Sequence, residues 1–294
     1  MVEPRGTLPN FFIVGAPKCG TTSLAQYLAG HPMVFVTEPK EPSYFSRSLT
    51  TDWEAKRCQA YELDLDSYLQ LFQAASDGHT RRGEATTRYL RCEAALREIK
   101  ALYPEARLIA MLRDPVAMVE SWQAQKLWEK QETEPDLENA WRLEESRRRG
   151  EGLPRRLKAK DALFYSQVAS LGTQVERLLK IFPREQVHLI LLDDLRREPQ
   201  SVYQATLRFL GLPDDGRTDF AVHNPRRNPT ANRILSAMQL VGPRSPTGKM
   251  SAAFKDELRR HFEPEVAKLE QILGRDLSAW KKTDSILSNA VSDS

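Results

Sequence analysis

Four short apolar runs punctuate the chain. Phe11-Phe12-Ile13-Val14 is closed by Gly15, Met33–Val36 follows Gly30-His31-Pro32, Arg107–Leu112 reads RLIAML, and Val187–Leu192 reads VHLILL. Runs of this length without polar alternation predict strands buried on both faces. Between them apolar residues recur at helical spacing, which predicts a helix over Ser23–Ala29, stopped by Gly30-His31-Pro32, and others over about residues 64–75, 92–102, 115–130, 136–148, 161–181 and 199–210. A last helix over about 251–273 would pack through Phe254, Leu258, Phe262, Val266 and Leu269. Strands alternating with helices predict an α/β fold, a parallel sheet with helices on both faces, in a single domain over residues 8–282. Residues 218–249, rich in Pro, Arg and Asn with one helical island near 231–241, read as a mobile cover over the site. The small polar residues 283–294 read as a disordered tail.

Composition narrows the function classes. In 294 residues, 40% are hydrophobic and 28% charged, which excludes fibrous and wholly disordered chains. The balance of 43 Lys+Arg against 40 Asp+Glu leaves +3, too little to argue for nucleic acid. It allows an anionic ligand if the cations converge in one cleft. Cys19, Cys58 and Cys92 cannot all pair and show no CxxC spacing, which argues against a disulfide framework or a zinc site. His31, His79, His188, His223 and His261 are scattered, so no metal is expected. The opening MVEPRGTLPN does not read as a signal peptide, and no apolar run approaches the roughly 20 residues of a membrane helix. A cytoplasmic protein without a transmembrane segment is expected.

The candidate chemistry begins after the first apolar run. Gly15-Ala-Pro-Lys-Cys-Gly-Thr-Thr22 joins a strand to a helix, where glycines let backbone N–H groups converge and the helix start adds its positive end. Pro17, Lys18, Cys19, Gly20, Thr21, Thr22 and Ser23 are therefore candidate anion-binding residues, and the fold is expected to be P-loop-like. The string is not a Walker A loop, because Gly20 is followed by Thr21 and the lysine sits inside the loop at Lys18. The plainer alternative is a tight turn with Lys18 in solvent. The second anchor is Arg113-Asp-Pro-Val-Ala-Met-Val-Glu-Ser121. Arg113 leaves a strand at its carboxyl end, where open α/β sheets bind ligands, and Asp114 and Pro115 suit a helix start. Arg113 with Ser121 makes a candidate phosphate clamp, against the alternative of a local Arg-Asp pair. The basic stretch between about residues 147 and 160 reads as a solvated loop or as a lip over an anionic substrate.

Together these residues resemble the sulfotransferases that use 3′-phosphoadenosine-5′-phosphosulfate (PAPS), in the branch of the heparan-sulfate-type and bacterial enzymes. The matching strings are Phe12-Ile-Val-Gly-Ala-Pro-Lys18-x-Gly-Thr-Thr-Ser23-Leu, Lys40-Glu-Pro-Ser-Tyr-Phe45, Gly83-Glu-Ala-Thr-Thr-Arg-Tyr89, Arg113-Asp-Pro with Ser121, and Leu192-Asp-Asp-Leu195 followed by Pro199 and Phe209-Leu-Gly-Leu212. The resemblance implies in-line sulfuryl transfer from PAPS to a hydroxyl, with an amine second, leaving adenosine 3′,5′-bisphosphate (PAP) and needing no metal. It implies Lys18 as the cation at the leaving phosphate oxygen, Glu41 as general base, Glu84 as a structural group or a support for Lys18, and Arg113 with Ser121 at the 3′-phosphate. The late loop that closes on this phosphate in such enzymes has its nearest match at Gly248 and Lys249. The acceptor would be a carbohydrate, a lipid or a small or carrier-bound metabolite. Relatives often carry an arginine inside the helix after Arg-Asp-Pro, where this chain has Met118. The competing readings are a P-loop kinase and a nucleotide-binding relative without turnover.

Overall fold

Phe11–Gly15 forms strand β1, buried along its whole length, and Val34–Val36 (β2), Arg107–Leu112 (β4) and Val187–Leu191 (β5) form where the other apolar runs predict them. These are seen in a computed structural model that describes residues 8–49, 63–221 and 250–282. A further strand, β3 (Arg81–Ala85), has no apolar run at all. It is held in the sheet by its neighbours, with parallel pairing to β2 on one side and β1 on the other. A Cβ at Gly83 would stand 2.5 Å from the Phe11 carbonyl oxygen, so only glycine lets these two backbones approach.

All strands are parallel, in the order β2-β3-β1-β4-β5. The helices are α1 (Thr21–Ala29), α2 (Leu65–Gln70), α3 (Glu93–Leu102), α4 (Pro115–Trp128), α5 (Leu137–Arg142), α6 (Glu144–Arg148), α7 (Tyr165–Val168), α8 (Leu171–Ile181), α9 (Leu192–Arg197), α10 (Pro199–Leu210) and α11 (Ala252–Leu273). From β1 the chain crosses through α1 to β2, and from β3 it returns through α3 to β4. Right-handed crossovers in opposite directions put α1 and α3 on opposite faces. The expected α/β domain with a parallel sheet flanked by helices is present. The connections reverse direction between β1 and β4, so the crevice at their carboxyl ends is the switch point where such sheets bind ligands.

By packing, the described residues fall into two compact units. The first, residues 8–49, 63–113 and 177–221, holds the whole sheet with α1, α2, α3, α9 and α10. The second, residues 114–176 and 250–282, is helical. In it Phe254, Leu258, Phe262, Val266 and Leu269 of α11 are buried as the spacing predicts, with Trp141 edge-on to Phe254 and Phe262. The predicted helix over 161–181 is broken into a 3-10 turn at Lys160–Leu163, α7 and α8.

Candidate active site

The loop between β1 and α1 is built at the switch point. The Ala16 N–H donates to the Met111 carbonyl at 2.8 Å and ties the loop to β4. Gly20 caps α1 at φ 88°, a left-handed conformation that demands glycine there. Lys18 adopts φ 64° and Glu41 φ 62°, a left-handed backbone that side chains rarely accept and that concentrates at functional sites. Arg113, only 7% exposed, follows β4 directly, and its Nη1 donates to the Lys18 carbonyl at 3.1 Å. The two sequence anchors, one after each strand flanking the switch point, are thus joined.

Within the loop, Pro17 is buried and Lys18 half-buried. Cys19 is fully buried, its thiol 3.4 Å from the Pro17 carbonyl oxygen. Burial pushes that thiol up to about 12 against the pull of Arg113 and Lys18, so it is no nucleophile at neutral pH. Thr21 and Ser23 are buried and Thr22 is half-buried at the helix start.

Glu41 lies beside this helix start. Its N–H donates to the Ala85 carbonyl at the end of β3 at 3.2 Å, and its Oε1 accepts from Thr87 Oγ1 at 3.3 Å. The side chain is 44% exposed. The preceding Lys40, quoted in the sequence without a role, donates to Thr22 Oγ1 at 2.8 Å and Thr21 Oγ1 at 3.3 Å. Its signal in the sequence is only adjacency to Glu41, because its partners are 18 and 19 residues away. The aromatic end of the same string anchors the segment. Phe45 is fully buried, edge-on to Phe12 and Tyr68, and Tyr44 stacks on Tyr68.

Glu84 is placed differently. It is fully buried and accepts from Tyr68 at 3.0 Å, Thr86 at 2.5 Å and Tyr89 at 2.9 Å. Burial pushes its carboxyl up from 4.5 to about 7, the three hydroxyls pull it down, and the Glu41 charge adds to the rise. The folded state therefore holds this proton more tightly than the unfolded chain. The contribution is full below about pH 4.5 and is lost as pH rises to about 7, a fall of about 3 kcal/mol. Glu84→Gln cannot ionise and should lack this loss. Denaturation at pH 5 and pH 8 should show the stability gap between wild type and variant moving by about 2–3 kcal/mol. Equal pH slopes in the two proteins would refute the buried titration.

In the helical unit, Asp114 caps α4 through its Oδ1 and the Val116 N–H at 2.9 Å, with Pro115 in the first turn as expected. Ser121 is buried on α4, and Met118, where relatives often carry arginine, is a core residue. Arg147 is no solvated charge, for it is 1% exposed and its guanidinium meets Glu132, which also accepts from Tyr165 at 2.6 Å. Arg148 and Arg149 pair with Glu144, Glu145 and Glu151, so this part of the basic stretch is locally neutralised. Gly248, Lys249, His223 and the helical island near 231–241 lie outside the described residues. Among the described residues no group of three His, Cys, Asp or Glu side chains could hold a metal.

A glycine-turned loop entering a helix at the switch point of a parallel sheet, faced by an arginine from the next strand, defines an α/β protein of the P-loop-like class. Comparison with known proteins narrows the class. The model described as the sulfotransferase family matches residues 9–216, more than half of the chain. The chain is similar to the human bifunctional heparan sulfate N-deacetylase/N-sulfotransferase 3, 25% identical over 293 residues, covering 94% of this chain and 31% of that protein. It is similar to carbohydrate sulfotransferase 15 of Rattus norvegicus, 26% identical over 327 residues, covering 94% of this chain and 55% of that protein. The chain thus spans about a third to a half of the length of these relatives. The crystal structure of a sulfotransferase from Alicyclobacillus acidocaldarius superposes with a TM-score of 0.76 at 30% identity, covering 94% of this chain and 99% of that one. The chain belongs to the sulfotransferase family, a family of transferase enzymes.

Proposed function

We propose that this protein moves a sulfuryl group from PAPS to a hydroxyl acceptor, with an amine as the second possibility, and that PAP is the product. The observation that carries the reading is the loop Gly15–Ser23 at the switch point, with Lys18 in a left-handed backbone and its carbonyl held by Arg113. The residues present fit such a donor, since Lys18 and Arg113 supply cations at a glycine-turned loop that opens a helix. When bound, PAPS supplies an activated sulfuryl group on a 5′-phosphate. Lys18 and the N–H groups from Gly20 to Ser23 would stabilise the negative charge that grows on the leaving phosphate oxygen, usually the largest catalytic contribution. Arg113 would take the 3′-phosphate, for which a planar guanidinium suits better than an ammonium. Glu41, reachable from solvent, would accept the acceptor's proton.

Residues 8–282 form the catalytic domain in this reading. Carbohydrate is a natural acceptor class to screen, because two of the similar proteins carry heparan sulfate or carbohydrate in their names. A cytoplasmic site of action fits the buried, unoxidised thiol of Cys19. Among the described residues no helix is long and apolar enough to cross a membrane. Thermal denaturation with added nucleotide tests the donor directly. PAP at a hundredfold excess over its dissociation constant should stabilise the fold by about 2.7 kcal/mol, whereas ATP with Mg²⁺ should do far less. The reverse order would favour the P-loop kinase and sink the proposal.

A further inference from the structure

Helix α1 begins with a cation where electrostatics disfavours one. The N-terminal end of a helix carries roughly half a positive charge, so anions are stabilised there and cations repelled. Yet Lys40 Nζ sits on the first two side chains of α1, 2.8 Å from Thr22 Oγ1 and 3.3 Å from Thr21 Oγ1. Both partners are neutral. Its carboxylate neighbour, Glu41 Oε1, is 3.6 Å away, beyond a good hydrogen bond. Partial burial lowers the Lys40 pKa, and Glu41 only partly opposes this. An ammonium, a helix N-terminus and the Lys18 loop therefore meet at one place, and the group that would satisfy all of them is an anion.

We propose that Lys40 is a second cation for the 5′-phosphate end of the donor, resting on Thr21 and Thr22 in the free protein and turning to the anion when it binds. The inference rests on the donor reading above. The segment is built for such a task, since Tyr44 and Phe45 pin one end in the core while Lys40 and Glu41 stay partly exposed. An ammonium has three donors on a flexible stem, so it can keep one hydroxyl while reaching a phosphate oxygen.

The test compares wild type, Lys40→Met and Lys40→Arg by calorimetry with PAP and with adenosine 3′-phosphate, which lacks the 5′-phosphate. A charge-assisted hydrogen bond lost to one ligand only should weaken PAP about 10- to 100-fold in Lys40→Met and leave adenosine 3′-phosphate nearly unchanged. Lys40→Arg, which keeps the charge, should fall between. Without ligand, Lys40→Met should melt no lower than wild type, because it removes a cation from the wrong end of a helix. Equal weakening of both ligands, or a lowered melting temperature with unchanged selectivity, would make Lys40 a structural residue and overturn the inference. A wild type that binds neither ligand would instead remove the donor reading itself.

Discussion

Lys18→Met should give a folded protein that turns over about 10²–10³-fold more slowly at saturating donor, the usual effect of removing one preorganised stabiliser of developing charge. The fold should tolerate the change. The left-handed φ of 64° at Lys18 is met equally by lysine and methionine, both unbranched at Cβ, and the contact with Arg113 uses the Lys18 carbonyl rather than its side chain. PAP affinity should fall less than turnover, since the charge that Lys18 would stabilise grows in the transition state. Rates measured at saturating acceptor, beside a melting curve for each protein, decide the matter. Near-normal turnover in a folded Lys18→Met variant would reject the assignment and leave the anion to the backbone amides, Lys40 and Arg113.

Four of the five strands are legible in the sequence because each is an apolar run, buried almost throughout in β1 and β4 and half-buried in part in the edge strands β2 and β5. β3 is illegible for a physical reason. It reads Arg81-Arg82-Gly83-Glu84-Ala85, with no apolar run, and several of its polar groups are met from other parts of the chain. Arg81 Nε reaches the Leu210 carbonyl, the Arg82 N–H reaches Asn10 Oδ1, and Glu84 takes three hydroxyls. Of these only the Thr86 and Tyr89 contacts are near in sequence. The broken helix over 161–181 is the converse case, where periodicity persists through Phe164 and Ala169 while the backbone leaves helical geometry.

The site divides along the same line. The loop Gly15–Ser23 and Arg113 are readable because a strand, a turn and a helix follow one another directly in the chain. Lys40 has no such signal, since its role depends on α1 lying against the segment after β2. The two glutamates separate only in three dimensions. In sequence, Glu41 and Glu84 each sit in a string shared with known sulfotransferases, while in the structure one is exposed at a left-handed turn and the other is sealed among tyrosines.

Glu41→Gln then carries the sharpest expectation about the chemistry. Glutamine keeps the size of the side chain and can still accept from Thr87, but it cannot take up the acceptor's proton. The pair lost with Lys40 is partly exposed and 3.6 Å long, so stability should change by less than about 1 kcal/mol. In the proposed reading Glu41 would meet the acceptor proton and not the donor phosphates, so PAP affinity should stay within about twofold while sulfuryl transfer falls about 10²–10⁴-fold. Glu84→Gln is the control. Its carboxyl is enclosed by Tyr68, Thr86 and Tyr89, so its loss should alter stability, in a pH-dependent way, before it alters the rate of a correctly folded enzyme. Transfer at the wild-type rate by Glu41→Gln, with Glu84→Gln inert yet folded and still binding PAP, would hand the proton to Glu84 and require the tyrosine shell to open during turnover.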